Sequence, residues 1–207
     1  VPRRLPGRIG GELEGVHAVR TLADVDAMAP GCKEGARVLI VGGGYIGLEA
    51  AAVCAKLGMQ VTLVEMAERI LGRVAAPETS DYFRALHKAH GVDLREGVGL
   101  ERLTGERHVT GAVLSDGSEL ALDMVIVGVG ITPATELAET AGLTIDNGIA
   151  VDARGQSSDP CIWAAGDCAS FPWQGRRIRL ESPGLPASAT CGGMPKKKNG
   201  TAAMCPT

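Results

Sequence analysis

Arg37-Val38-Leu39-Ile40-Val41-Gly42-Gly43-Gly44-Tyr45-Ile46-Gly47-Leu48-Glu49 opens the stretch that decides the fold, and it runs through an Ala-rich segment to Gln60-Val61-Thr62-Leu63-Val64-Glu65. The run Arg37 to Val41 is apolar, rich in β-branched residues and followed by glycines. It is too short for a helix, so it reads as a buried parallel strand. Gly44 to Leu57 reads as a helix, with Gly58 where a left-handed C-terminal residue belongs. Gln60 to Glu65 is then a second strand. Strand, helix and strand in so short a span form one βαβ unit, whose right-handed crossover requires a parallel sheet.

Between that first strand and helix lies Gly42-x-Gly44-x-x-Gly47, with Glu65 at the end of the next strand, 18 residues past Gly47. A bare pattern of three glycines is weak in a chain with 29 of them. The strand before, the helix after and the acidic residue beyond make it a dinucleotide-binding fingerprint. Gly42 permits a tight turn, Gly44 lets backbone approach a pyrophosphate, and Gly47 allows the helix to pack closely on the strand. Free N–H groups and the partial positive charge at the helix start would receive the phosphates. A carboxylate at Glu65 would accept hydrogen bonds from the adenosine ribose hydroxyls and repel a 2′-phosphate, which favours NADH over NADPH. The plainer alternatives are a Gly-rich turn and a strand-end Glu with no task.

Working outward, residues 1 to 36 form a Gly/Pro-rich lead-in followed by a polar helix, Thr21 to Met28, with Thr21 as N-cap and Asp24 completing a capping box. Pro77 suits the first position of a helix reaching about His90, with Tyr82, Leu86 and Ala89 on one face. Val92 to Leu94 reads as a third parallel strand. From about Val98 to Leu122, short alternating segments with turns at Thr104-Gly105 and Asp116-Gly117 read as a β-meander. Asp123 to Val127 is again a buried strand, leading into Gly128-Val129-Gly130. A short helix is expected near Ala134 to Ala141, and strands at Gly148 to Val151 and Cys161 to Ala164. Pro183 to Thr207 shifts to Pro, Gly, Ala and Ser and is expected to be a disordered tail, its Lys196-Lys197-Lys198 a solvated charge run.

The chain has 207 residues, enough for one α/β domain or one domain with pieces of a second. Its 45% hydrophobic and 22% charged residues are close to globular averages, so folding in water is expected. A net charge of -3 gives no reason to expect nucleic acid or an anionic membrane as partner. No apolar run approaches the roughly 20 residues of a membrane helix, and the start lacks a signal-peptide core, so the cytoplasm is the expected location. The six cysteines include no C-x-x-C pair and no His cluster at zinc-finger spacing. They are expected to be inert thiols, and no metal site is expected. Without an initiator Met the chain is expected to begin inside a longer protein.

Ile40 to Glu49 resembles the NADH fingerprint of the pyridine-nucleotide-disulfide oxidoreductase superfamily, Val127-Gly128-Val129-Gly130-Ile131-Thr132-Pro133 its second nicotinamide-nucleotide segment, and Ile162-Trp163-Ala164-Ala165-Gly166-Asp167-Cys168-Ala169 its C-terminal FAD motif. The three stand in family order over about residues 1 to 182. Arg69 to Ser80 is particularly similar to FAD-dependent ferredoxin and rubredoxin reductases that serve cytochrome P450 and ring-oxygenase systems. The resemblance implies an α/β fold: a Rossmann-like NAD(H)-binding domain with a parallel sheet and β-meander, inserted in parts of an FAD-binding domain. Residues 1–20 would belong to a partial FAD-domain segment or linker, 21–145 to the NADH-binding domain and 146–182 to the C-terminal part of the FAD domain.

It further implies that Gly42, Gly43, Gly44, Tyr45, Ile46 and Gly47, with Glu49, Glu65, Gly128, Val129 and Gly130, contact NADH. Gly166 and Asp167 would contact FAD, Asp167 at the ribityl chain; from the residues alone Asp167 is equally a helix N-cap. Glu49 would lie near the nicotinamide carboxamide, three residues from Ile46 on one helix face, and is otherwise an ordinary solvated Glu. No residue of the chain is marked as catalytic in its own right. The implied activity is electron transfer from NADH through FAD to a small iron–sulfur protein, a ferredoxin or rubredoxin. The alternatives are a non-catalytic NADH-binding module and an NADH oxidase or nitrite-reductase-type flavoenzyme. The family's first flavin-binding half would precede Val1, so the chain is read as an internal fragment.

Overall fold

Val16–Ala18 forms strand β1, which the sequence pattern does not announce, and it lies in the segment read as a partial FAD-domain segment or linker. The computed structural model describes residues 1–179; the tail expected over 183–207, with its three lysines, lies outside the described residues. Helix α1 follows at Leu22–Met28. Thr21 caps it as expected, its hydroxyl accepting from the Asp24 N–H while the Asp24 carboxylate accepts from the Thr21 N–H. The decisive βαβ unit comes next as β2 (Arg37–Val41), α2 (Tyr45–Lys56) and β3 (Gln60–Glu65).

Helix α3 covers Pro77–Ala89 and strand β4 Asp93–Glu96. The meander is β5 (Leu100–Thr104), β6 (Gly111–Leu114) and β7 (Glu119–Ala121), a separate antiparallel sheet. Strand β8 (Met124–Val127) then returns to the main sheet. All neighbours in that sheet are parallel and its order is β1-β8-β2-β3-β4. The α/β class with a parallel sheet and β-meander is thus the one expected.

Two apolar layers hold the sheet. On one face Val38, Ile40, Leu63 and Ile126 pack with Leu48, Ala51 and Cys54, the inward face of α2 at three- and four-residue spacing. On the other, Leu39, Val41, Val64, Val125 and Val127 pack under Leu103, Val109 and Leu114 of the meander. Successive residues of β2 are therefore buried on opposite sides, which is why Arg37 to Val41 reads as a continuous apolar run and not an alternating one. Each fully buried Leu or Ile contributes about 1.5–3 kcal/mol. At the start of β2, Arg37 grips Asp123 through its backbone N–H, Nε and Nη2 at 2.7 to 3.0 Å, aligning β2 with β8.

Helix α3 corrects one expectation. Tyr82 and Leu86 face outward, at 63% and 37% exposure. The inward face carries Ser80, Phe83 and His87, and its polar groups are all satisfied. Ser80 Oγ donates to the Ile70 carbonyl, and the His87 ring nitrogens lie 2.8 Å from the Phe83 carbonyl and 3.0 Å from that of Leu48.

The chain divides after Thr132 into two compact units. The second contains α4 (Glu136–Thr140), β9 (Ile149–Ala150), β10 (Ala169–Trp173) and β11 (Arg176–Arg179). Strand β10 pairs in parallel with β9 and antiparallel with β11. The strand expected at Cys161 to Ala164 does not form. Only Trp163 makes an isolated bridge, to Gln156, because the preceding segment turns tightly through Ser157 and Asp159. Among the described cysteines, Cys32, Cys54 and Cys168 are free thiols. Cys161 is disulfide-bonded, against the reading of every cysteine as a thiol. Burial, aided by the neighbouring Cys32, pushes Cys54 up to about 11, so it stays protonated at neutral pH. No helix among the described residues is long and apolar enough to cross a membrane.

Candidate functional site

Strand order locates the site. β2 runs through α2 to β3 and on to β4 on one side, while β8 and β1 lie on its other side, so the strand order breaks between β2 and β8. Such a switch point opens a crevice at the carboxyl ends of parallel strands. A cleft of about 280 Å³ lies at this end of the sheet, walled by Val19 and Arg20 after β1, Val127, Gly128, Gly130 and Ile131 at and after β8, Ile46 and Glu49 of α2, and Pro2. A space of that size takes a ring and its sugar, not a whole dinucleotide.

The glycine loop sits beside this cleft, and each glycine is there for a different reason. Gly42 has φ 107, and a Cβ on it would stand 2.5 Å from the Gly128 carbonyl oxygen. A Cβ on Gly47 would stand 1.9 Å from the Gly42 carbonyl oxygen, so α2 crosses the strand end at backbone contact. A Cβ on Gly44 would meet nothing within 4 Å. Gly44 is the N-cap of α2 and no side chain caps the helix, which leaves its first-turn N–H groups without a side-chain partner.

Glu65 is tied to this loop. Its Oε2 accepts from the Gly43 N–H at 2.7 Å and its Oε1 from the Ala67 N–H at 2.8 Å. Each oxygen keeps a further lone pair. Gly43 is hemmed in by Ile70 and Glu65, and its carbonyl accepts from the Leu71 N–H. Tyr45, Ile46 and Val129 are large apolar side chains left exposed around the loop and cleft. Farther back, burial raises the Glu96 carboxyl, but hydrogen bonds from Arg84 and the Ile70 N–H and the charges of Arg84 and Lys88 outweigh it and hold the group below its ordinary value. Glu96 thereby fixes the segment that follows β3.

Of the residues expected from sequence, Ile46, Glu49, Gly128 and Gly130 meet in the cleft. Gly42, Gly43, Gly44, Tyr45, Gly47 and Glu65 form the loop beside it, and Val129 lies between the two cleft glycines in sequence. Gly166 and Asp167 belong to the second unit, in a single 3₁₀ turn, Gly166–Cys168. The N-cap of that turn is Ala165, so the capping reading of Asp167 falls; its carboxylate is exposed and makes no hydrogen bond among the described residues. Sequence reasoning missed Pro2, Val19, Arg20 and Ile131. Pro2 precedes and Val19 and Arg20 follow a β1 that is too short to read, and Ile131 is an apolar residue in a loop. No group of three His, Cys, Asp or Glu among the described residues could hold a metal ion.

Comparison with known proteins gives the family. The family model for pyridine nucleotide-disulphide oxidoreductases matches residues 1–191. The chain is 48% identical, over 84% of its length, to the ferredoxin reductase subunit of 5,5′-dehydrodivanillate O-demethylase from Sphingobium sp., of which it covers 43%. It is 43% identical to putidaredoxin reductase from Pseudomonas putida, covering 87% of this chain and 44% of that one. The solved covalent complex of putidaredoxin reductase with putidaredoxin superposes with a TM-score of 0.81 at 41% identity, covering 87% of this chain and 45% of the other. The chain thus spans less than half the length of these curated relatives.

Proposed function

Because the chain belongs to the pyridine nucleotide-disulphide oxidoreductase family, we propose that it is the NADH-binding part of a cytoplasmic FAD-dependent reductase whose electrons go to a ferredoxin or rubredoxin. The observation that carries this reading is the open space over Gly44 at the uncapped start of α2, with Glu65 held beside it. That arrangement fits a nicotinamide dinucleotide. The relatives named for ferredoxin and putidaredoxin support the acceptor class, a small iron–sulfur protein.

The loop Gly42 to Gly47 and the first N–H groups of α2 would hold the pyrophosphate. Glu65, already oriented by the Gly43 and Ala67 N–H groups, would accept from the ribose hydroxyls with its spare lone pairs. Ile46, Val129 and the backbone at Gly128 and Gly130 would cover one face of the nicotinamide, and Glu49 would accept from its carboxamide. In the second unit, Gly166 offers open space and Asp167 an unpartnered carboxylate, which fit one edge of an FAD site. Bound together, the two cofactors supply hydride transfer from NADH to the flavin and single-electron transfer onward. This chain's part is to orient the nicotinamide and keep water from its covered face.

Calorimetry with NADH and NADPH tests the nucleotide reading. NADH is expected to bind at least about tenfold more tightly, since a 2′-phosphate would meet the Glu65 carboxylate in place of a hydrogen bond. Equal affinities for the two nucleotides would overturn it.

A further inference from the structure

The site proposed for NADH has two carboxylates, Glu49 and Glu65, yet the ligand itself is a dianion at its pyrophosphate. The start of α2 offsets only about half a unit of charge. Two arginines border the same region. Arg20 forms part of the cleft wall, along with Glu49. Arg73 reaches the opening from the segment after β3: its Nη2 lies 3.9 Å from where a Cβ on Gly130 would stand.

Arg73 is exposed, and its guanidinium has no hydrogen bond or ion pair among the described residues. The neighbouring arginines are engaged. Arg69 donates to Ser80 Oγ and to the Gly72 and Ala75 carbonyls, and Arg84 pairs with Glu96 and Asp81. The segment that carries Arg73 is fastened to the glycine loop itself, because the Leu71 N–H donates to the Gly43 carbonyl at 2.9 Å. Leu71 is 3% exposed and has φ 54, a left-handed backbone that a Leu adopts only when its surroundings impose it. Arg73, two residues on, is thereby held next to Gly130 on a constrained support.

We propose that Arg73 is an anion-binding residue of the nucleotide site, its guanidinium donating to the pyrophosphate oxygens alongside the α2 N–H groups. The inference rests on the NADH reading above. Arg73 is preferred to Arg20 because its segment is hydrogen-bonded to the phosphate loop, whereas Arg20 faces the cleft together with a carboxylate. A guanidinium fork suits a phosphate geometrically and stays charged at every working pH.

The test is calorimetry on the whole chain, unmodified, Arg73→Gln and Arg73→Lys, with NADH, ADP-ribose and adenosine as probes and circular dichroism to establish folding. Arg73→Gln is expected to weaken NADH and ADP-ribose by about tenfold each, to leave adenosine unchanged and to flatten the dependence of affinity on salt. Arg73→Lys is expected to restore most of the loss. A folded Arg73→Gln chain that binds NADH as the unmodified chain does would overturn the inference while leaving the NADH reading standing. An equal loss for adenosine would also overturn it, since adenosine has no phosphate. An unmodified chain that binds neither NADH nor ADP-ribose removes the NADH reading itself, and this inference with it.

Discussion

Gly44 and Gly47 stand three residues apart and carry opposite constraints. At Gly47 a methyl group would overlap the Gly42 carbonyl oxygen at 1.9 Å, so Gly47→Ala must push α2 off the sheet; overpacking of this kind costs about 1–3 kcal/mol or more. At Gly44 a side chain enters empty space on an ordinary extended backbone, φ -82. Gly44→Val is therefore expected to keep its fold, with a small loss from the poorer N-cap, and to lose NADH binding because the branched side chain fills the phosphate position. Thermal unfolding and calorimetry on the two variants separate the effects. A stable Gly44→Val chain with unchanged NADH affinity would make the loop a structural turn only. The roles of these glycines are legible in sequence because the fingerprint fixes them by local spacing. The hold of Glu65 on the Gly43 N–H and the nearness of Arg73 to Gly130 are not, since each joins residues brought together only by the sheet.

Among the elements, the strands of the βαβ unit are legible because burial on both faces writes an unbroken apolar run. Helix α3 misleads for the converse reason. Its inward positions include Ser80 and His87, polar residues made compatible with burial by the Ile70, Phe83 and Leu48 carbonyls, while the apolar Tyr82 and Leu86 stay outside. Periodicity of apolar residues cannot see a satisfied polar face. The contact between β2 and β8 gives a pH prediction. The Arg37 side chain, then its backbone N–H, holds Asp123 at about 2, against an ordinary 3.8. A carboxylate with a lowered folded value stabilises the fold above its unfolded value and loses that contribution as pH falls through the folded one. The gap in melting temperature between the unmodified chain and Asp123→Asn should be constant above about pH 5 and shrink between 3.8 and about 2. Both groups are nearly half exposed, so the gap is expected to be small and to narrow in high salt. A gap that persists unchanged to pH 2 would mean the pair does not carry it.

On the scale of the whole molecule, the order of motifs made the family legible. The compact first unit runs from Val1 to Thr132 and includes β1, from the segment read as a partial FAD-domain segment or linker. Three-residue strands such as β1 have too few positions to show a period, and β10, with Pro172 within it, does not read as a strand. The division at Thr132 has a consequence for the proposed NADH site. Every residue assigned to NADH, from Gly42 to Gly130, lies in the first unit, as do Arg73 and the whole of the cleft wall. Both apolar clusters flanking the main sheet also consist of residues from this unit alone. A chain ending at Thr132 therefore keeps its core, its crevice and its phosphate loop. It is expected to fold cooperatively and to bind NADH within about a factor of three of the full chain's affinity. Circular dichroism and calorimetry on Val1 to Thr132 check both points. Failure to fold would show that the two clusters do not suffice as a core. A folded unit that no longer binds NADH would mean that residues after Thr132 complete the site, and the assignment of NADH to Gly42 through Gly130 would have to be widened to include them.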